Sequence, residues 1–170
     1  MPLADTLLRL AAGPSLYQPK WSDQIMVEVS RTLQEKFSLS AQKAAYRENE
    51  IRRHFPEAWI EDYEDLVPAM TNHPKDRHVL AAAARAGVKV IVTYNLKDFP
   101  GSSLAPYAIK AYGPSTFLKN LYDMAPSAVL QTLETQASAI GQPMSYLISR
   151  LQVNVPAFVA MIEKTMNKDE

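Results

Sequence analysis

The chain has 170 residues, 47% of them hydrophobic, which is enough to bury a core within one domain or one domain with a modest appendage. It contains no cysteine, which excludes disulfides, zinc–thiolate sites and cysteine nucleophiles and suits a reducing cytoplasmic setting. Eighteen basic and eighteen acidic side chains give a formal net charge of zero, so any nucleic-acid contact must come from a local patch rather than a global field.

Leu3, Leu7, Leu8 and Ala11 recur at helical spacing, and the pattern predicts a helix over residues 3–12 closed by Gly13-Pro14. This start is too acidic and too evenly amphipathic for a signal peptide, and no apolar run approaches a membrane span. Leu16 to Trp21 reads as a short strand at an irregular or edge position because of Pro19. Ser22 is a suitable N-cap for a helix in which Ile25, Val29 and Leu33 share a face. A charged helix follows from Ser40 to about His54 and stops at Pro56. Residues 57–73 are acidic and aromatic, with a short strand near Trp59-Ile60.

Pro74 opens a helix that carries the apolar run Val79–Ala84 and closes at Gly87. Val88 to Thr93 is a β-branched strand without polar alternation, the pattern of a strand buried on both faces in a parallel sheet. Asn95 to Gly101 reads as a loop, Ala108 to Tyr112 as a second strand, and Gly113-Pro114-Ser115 as a helix start. Beyond Ala125 the chain is helical, with Pro126, Pro143 and Pro156 near helix starts. The expected architecture is an α/β fold over residues 1–124 and a helical C-terminal extension over 125–170.

No phosphate-binding glycine loop, serine nucleophile elbow or paired-histidine motif is present. The candidate chemistry rests on acids. Asp76 begins the helix that precedes the Val88–Thr93 strand, and Asp98 follows that strand. A helix N-terminus and the C-terminus of the following parallel strand lie at one sheet edge, where ligands gather in open α/β sheets. Glu28, in the first half of its helix, belongs at the same edge if a strand precedes it. Carboxylates held together repel unless a hard cation joins them, and Mg²⁺ or Mn²⁺ at such a site activates water for phosphodiester cleavage. Each acid also has a structural reading. Asp76 suits a helix start, Asp98 suits a turn, and Glu28 stands three residues before Arg31 as in a surface pair. His73 and His78 read as loop and packing residues, and Arg47, Arg52 and Arg53 as a solvated helix face.

Three stretches taken in order resemble the PIN-domain family of ribonucleases, which includes the VapC-type toxins. They are Leu16-Tyr17-Gln18-Pro19-Lys20-Trp21-Ser22 leading to Glu28, Asp76-Arg77-His78-Val79-Leu80-Ala81-Ala82-Ala83, and Ile91-Val92-Thr93-Tyr94-Asn95-Leu96-Lys97-Asp98-Phe99-Pro100. The resemblance covers roughly residues 3–122. It implies a parallel sheet flanked by helices and Mg²⁺- or Mn²⁺-dependent cleavage of RNA by a cluster of acids. Glu28 matches the family's second acid, Asp76 the third, and Thr93 the small hydroxyl residue at the strand end, and Glu28, Asp76 and Asp98 are the acids expected to hold the ion. Asn95 stands where the fourth acid is usual, so Asp98 is expected to supply the charge and Asn95 to contact substrate or metal-bound water. Arg77, Lys75 and Arg53 are expected at phosphates. The implied partners are RNA, a cognate antitoxin covering the acidic cleft, and a second copy in a homodimer.

The chain departs from the family pattern at its start. Members open with an apolar strand ending in an aspartate, whereas this sequence opens at the helix that follows it, and Asp5 belongs to that helix. The expectation is a PIN-like sheet without its first, central strand. Neighbouring strands would close the gap or another chain would fill it. With that first acid absent, the alternative to a nuclease is an inactive PIN-like binding or assembly module.

Overall fold

A computed structural model describes residues 2–166; the last four residues expected in the helical extension lie outside them. The architecture is mixed α/β and mostly helical. It divides into two compact units interleaved in sequence, one of residues 2–18, 92–94 and 112–166, the other of residues 19–91 and 95–111.

The first unit is helical. It contains α1 (Pro2–Ala12), α6 (Pro114–Met124), α7 (Pro126–Ala139), α8 (Met144–Gln152) and α9 (Pro156–Met166). Proline stands in the first turn of α6 and α7 and begins α9, where its missing N–H is no loss. Leu10, Leu118, Leu133, Leu147, Leu151, Phe158 and Ile162 form a fully buried core. Two polar side chains are buried with them and satisfy each other. The Thr6 hydroxyl donates to Gln136 Oε1 at 2.7 Å, and the Gln136 amide donates to the Pro2 carbonyl at 3.0 Å. The tail helices thus share this unit's core with α1 and α6.

The second unit carries α2 (Asp23–Phe37), α3 (Ala41–His54), α4 (Arg77–Arg85), the short α5 (Gly101–Leu104) and several 3₁₀ turns. Ser22 caps α2 by accepting from the Ile25 N–H at 3.3 Å, and Ser40 caps α3 by accepting from the Lys43 N–H at 3.3 Å. Beside α2, Arg52 of α3 reaches Asp23 at 2.7 Å and Glu48 at 2.9 Å and lies 3.6 Å over the Trp59 ring. At least this arginine of the basic cluster is therefore committed to holding structure. The core gathers Leu80, Ala81, Ala82 and Ala83 of α4 with Ile60, Tyr63, Met70, Ile91, Phe99 and Ile109.

The helix ahead of the first strand closes as the sequence indicates. Gly87 takes φ +62°, its N–H donates to the Ala84 carbonyl, and the Val88 N–H donates to the Ala83 carbonyl, which together form a Schellman motif. Two boundaries differ from expectation. Residues Pro74–Asp76 form a 3₁₀ turn, so the α-helix proper begins at Arg77, with Asp76 at its N-cap. The following strand, β1, covers only Val90–Val92, and only Ile91 of it is buried, while Val92 is 37% exposed. The expected burial on both faces is corrected: among the described residues no strand is hydrogen-bonded beyond β1, and one side chain of the three meets a core.

β1 pairs in parallel with β2 (Lys110–Tyr112), and the chain passes between the two units within these strands. Among the described residues this two-stranded sheet is accompanied only by an isolated parallel bridge. There Trp21 donates to the Ala58 carbonyl and accepts from the Ile60 N–H, both at 2.8 Å. The strand expected from Leu16 therefore reduces to Trp21. The sheet is smaller than the layered one the resemblance implies.

Candidate functional site

The site lies within the second unit and is assembled by two backbone segments, one entering α4 and one leaving the strand region. The His73 N–H donates to the Asp98 carbonyl at 3.1 Å, which fastens the two segments together. Each segment then coils tightly. The Asp76 N–H returns to the His73 carbonyl at 2.9 Å, and the Asp98 N–H returns to the Asn95 carbonyl at 3.0 Å. Asn72, 3% exposed, braces the first turn by donating to the Asp76 carbonyl at 3.0 Å. These bonds fix the backbone and leave the side chains of His73, Asp76 and Asp98 to converge.

They do converge. The ligating atoms of His73, Asp76 and Asp98 all lie within 4.8 Å of one another. His73 Nδ1 is 3.9 Å from Asp76 Oδ2. Asp76 occupies the N-cap of α4, yet its carboxylate makes no capping hydrogen bond. Asp76 thus keeps the helix-start position its dipole reading needs but adds no capping bond to it. Donor atoms bound to one ion at about 2.2 Å stand roughly 3 to 4.4 Å apart, so small side-chain rotations would close this trio on a cation. Two carboxylates and an imidazole form a donor set that fits a divalent metal.

The trio lines a cleft of about 420 Å³ together with Glu28, Arg31, Lys75, Asn95 and Lys97. Glu28 lies outside the tight group, and its Oε1 is 3.4 Å from Nε2 of His78, a residue only 5% exposed. That distance suits an ion pair, but Nε2 is buried and makes no aligned hydrogen bond. We read it as a contact that orients both side chains. The pairing of Glu28 with Arg31 suggested by their spacing is corrected, since Glu28 turns toward His78 instead. On a helix, residues three apart are neighbours but need not point together.

The other expected site residues are distributed unevenly. Asn95 and Lys75 line the cleft with Glu28, Asp76 and Asp98. Arg77 directs its Nε toward the Asn72 carbonyl at 3.5 Å, and Arg53 pairs with Glu50 at 3.2 Å; neither lines the cleft. Thr93 follows β1 in the other unit, where its N–H donates to the Tyr112 carbonyl at 2.9 Å. Residue spacing did not single out His73, Arg31 or Lys97 as site residues. For His73 a signal existed: it stands three residues before Asp76 and next to Pro74, which fixes the turn that brings the two together.

The structure thus defines a class: a mixed α/β chain whose acid–imidazole cluster could hold a metal ion, beside basic side chains suited to a polyanion. The chain matches no family model and no solved structure. It is similar to a protein of Mycobacterium tuberculosis (strain ATCC 25618 / H37Rv) named "Putative ribonuclease VapC50", with 48% identity over 103 residues. The match covers 58% of this chain and 60% of that relative, so it spans less than two thirds of the relative's length. No helix among the described residues is long and apolar enough to cross a membrane.

Proposed function

We propose that this chain is a PIN-type, divalent-metal-dependent endoribonuclease and the toxin of a toxin–antitoxin pair. One observation carries the reading: Glu28, Asp76 and Asp98 share a cleft with Arg31, Lys75 and Lys97. An acidic cluster alone repels RNA, and a basic patch alone binds it without cutting. Acids beside cations suit a scissile phosphate held at a metal centre. The similarity to the mycobacterial relative points the same way.

Asp76 and Asp98 hold the ion, which we take to be Mg²⁺ or Mn²⁺. When bound, such an ion stabilises charge on a phosphoryl oxygen and lowers the pKa of coordinated water. Lys75, Lys97 and Arg31 neutralise the phosphates, and the Asn95 side chain contacts substrate or water. Glu28, held by His78 outside the trio, orients a water molecule for attack on phosphorus. Arg77, Arg53 and Thr93 then serve the fold or the outer path of the RNA. An antitoxin segment that covered the cleft would block both ion and RNA, and a homodimer remains part of this reading.

The test is cleavage of RNA by the full chain with Mn²⁺, Mg²⁺ or EDTA, beside Asp76→Asn. Metal-dependent cleavage that disappears in the variant is the expected result. Cleavage that survives in EDTA or in the variant would refute the assignment. A second reading is favoured by Asn95, a neutral amide in the cleft where the resemblance implies an acid: a PIN-like module that binds without cutting. RNA or protein binding with no cleavage by the wild type would select it.

A further inference from the structure

We propose that His73 is a direct ligand of the metal ion and biases the site toward Mn²⁺ over Mg²⁺. The inference deepens the metal-dependent reading above and rests on its metal site. Its ground is the donor set itself. His73 contributes an imidazole nitrogen to a group whose other members are carboxylate oxygens, all within 4.8 Å. The ring nitrogen Nδ1 sits between a backbone donor and a carboxylate. Nδ1 accepts from the Lys75 N–H at 3.4 Å and lies 3.9 Å from Asp76 Oδ2. The long contact to Lys75 is weak enough for a cation to replace it.

The backbone makes this placement a property of the fold. His73 is tied through its N–H to the Asp98 carbonyl and through its carbonyl to the Asp76 N–H, so it is bonded to the chain segments of both carboxylate partners. On the wall of the same cleft, His78 is 5% exposed and its Nε2 stands 3.4 Å from Glu28 Oε1 without an aligned hydrogen bond, so the contact that holds Glu28 leaves room for a water or an ion to complete it.

Mg²⁺ prefers oxygen ligands and retains several waters, whereas imidazole suits transition ions. Two carboxylates alone would not discriminate strongly. Adding His73 gives Mn²⁺ a ligand that Mg²⁺ scarcely uses.

The experiment loads the full chain with Mn²⁺ and records electron spin-echo modulation from ¹⁴N, alongside Mn²⁺ and Mg²⁺ titrations, for wild type, His73→Ala and His73→Gln. Both substitutions keep the backbone bonds at position 73, and a thermal melt verifies folding. We expect ¹⁴N modulation in the wild type and its loss in both variants. Mn²⁺ affinity should fall about tenfold while Mg²⁺ affinity changes less than about twofold. No bound Mn²⁺, no ¹⁴N modulation in the wild type, modulation that persists in His73→Ala, or equal losses for the two ions would each overturn the proposal. The outcomes separate this inference from the ribonuclease reading. Nitrogen coupling without RNA cleavage would refute the nuclease and keep His73 as ligand. Asp76-dependent cleavage without nitrogen coupling would do the reverse.

Discussion

Replacing Asp76 by alanine separates a structural acid from a metal-binding one. If Asp76 served chiefly as a helix cap, the change would cost about 1 kcal/mol. That corresponds to a fall of roughly 2–4 °C in melting temperature for a chain of this size. Its carboxylate makes no capping bond, and removing it relieves repulsion with Asp98, which offsets what is lost at the helix dipole. We therefore expect a change within about 0.5 kcal/mol, or under roughly 2 °C. The effect on a divalent ion is larger. Unit charges 4 Å apart interact by about 1 kcal/mol in water, so a carboxylate and a divalent ion interact by about 2 kcal/mol, or roughly thirtyfold in Kd. The Asp76 side chain is only 25% exposed, which lowers the local dielectric and makes that value a floor. Titration of Mn²⁺ into wild type and Asp76→Ala, paired with thermal melts, reads both quantities. An unchanged Kd with a melting temperature lowered by more than about 4 °C would refute the argument and restore the capping role.

Glu28 lies outside the tight trio, so Glu28→Gln should slow RNA cleavage at least about tenfold while shifting Mn²⁺ affinity less than about threefold; single-turnover cleavage and metal titration report the two, and a large affinity loss would place Glu28 on the ion. Burial pushes the Tyr17 hydroxyl pKa upward, and the hydroxyl donates to the Leu7 carbonyl at 2.8 Å. With the folded pKa above the unfolded one, its stabilisation is complete below about pH 10 and declines as the pH rises further. Urea melts above that pH should show a shallower alkaline loss for Tyr17→Phe, and parallel slopes would contradict the assignment. Phe158 is fully buried, so Phe158→Ala should cost about 3–5 kcal/mol and lower the melting temperature by roughly 6–20 °C; a melt within about 2 °C of wild type would show that this core is not closely packed.

Helices were the most legible part of the sequence because their signals are local. Ser22, Ser40, Gly87 and the prolines of the tail mark ends that the structure reproduces within a few residues. The strands were less legible. Val88 to Thr93 has the composition of a doubly buried strand, but burial is set by what packs on each face, and no spacing of valines reports that. The core shared by α1 and the tail was also hidden. Thr6 and Gln136 are 130 positions apart, and nothing in either neighbourhood announces the other.

The site shows where local reasoning reaches and where it stops. The approach of Asp76 to Asp98 followed from topology, because a helix start and the end of the next parallel strand meet at one sheet edge. What topology did not show is the bond that sets their spacing, from the His73 N–H to the Asp98 carbonyl. It is a backbone contact that almost any residue at position 73 would make, so the sequence carries no mark of it. Once made, it places the side chain at position 73 beside two carboxylates. There a histidine has a different consequence from a serine or an asparagine, because it brings a nitrogen donor to an oxygen cluster. The backbone therefore decides that position 73 belongs to the site, and the residue type decides which ion the site should prefer.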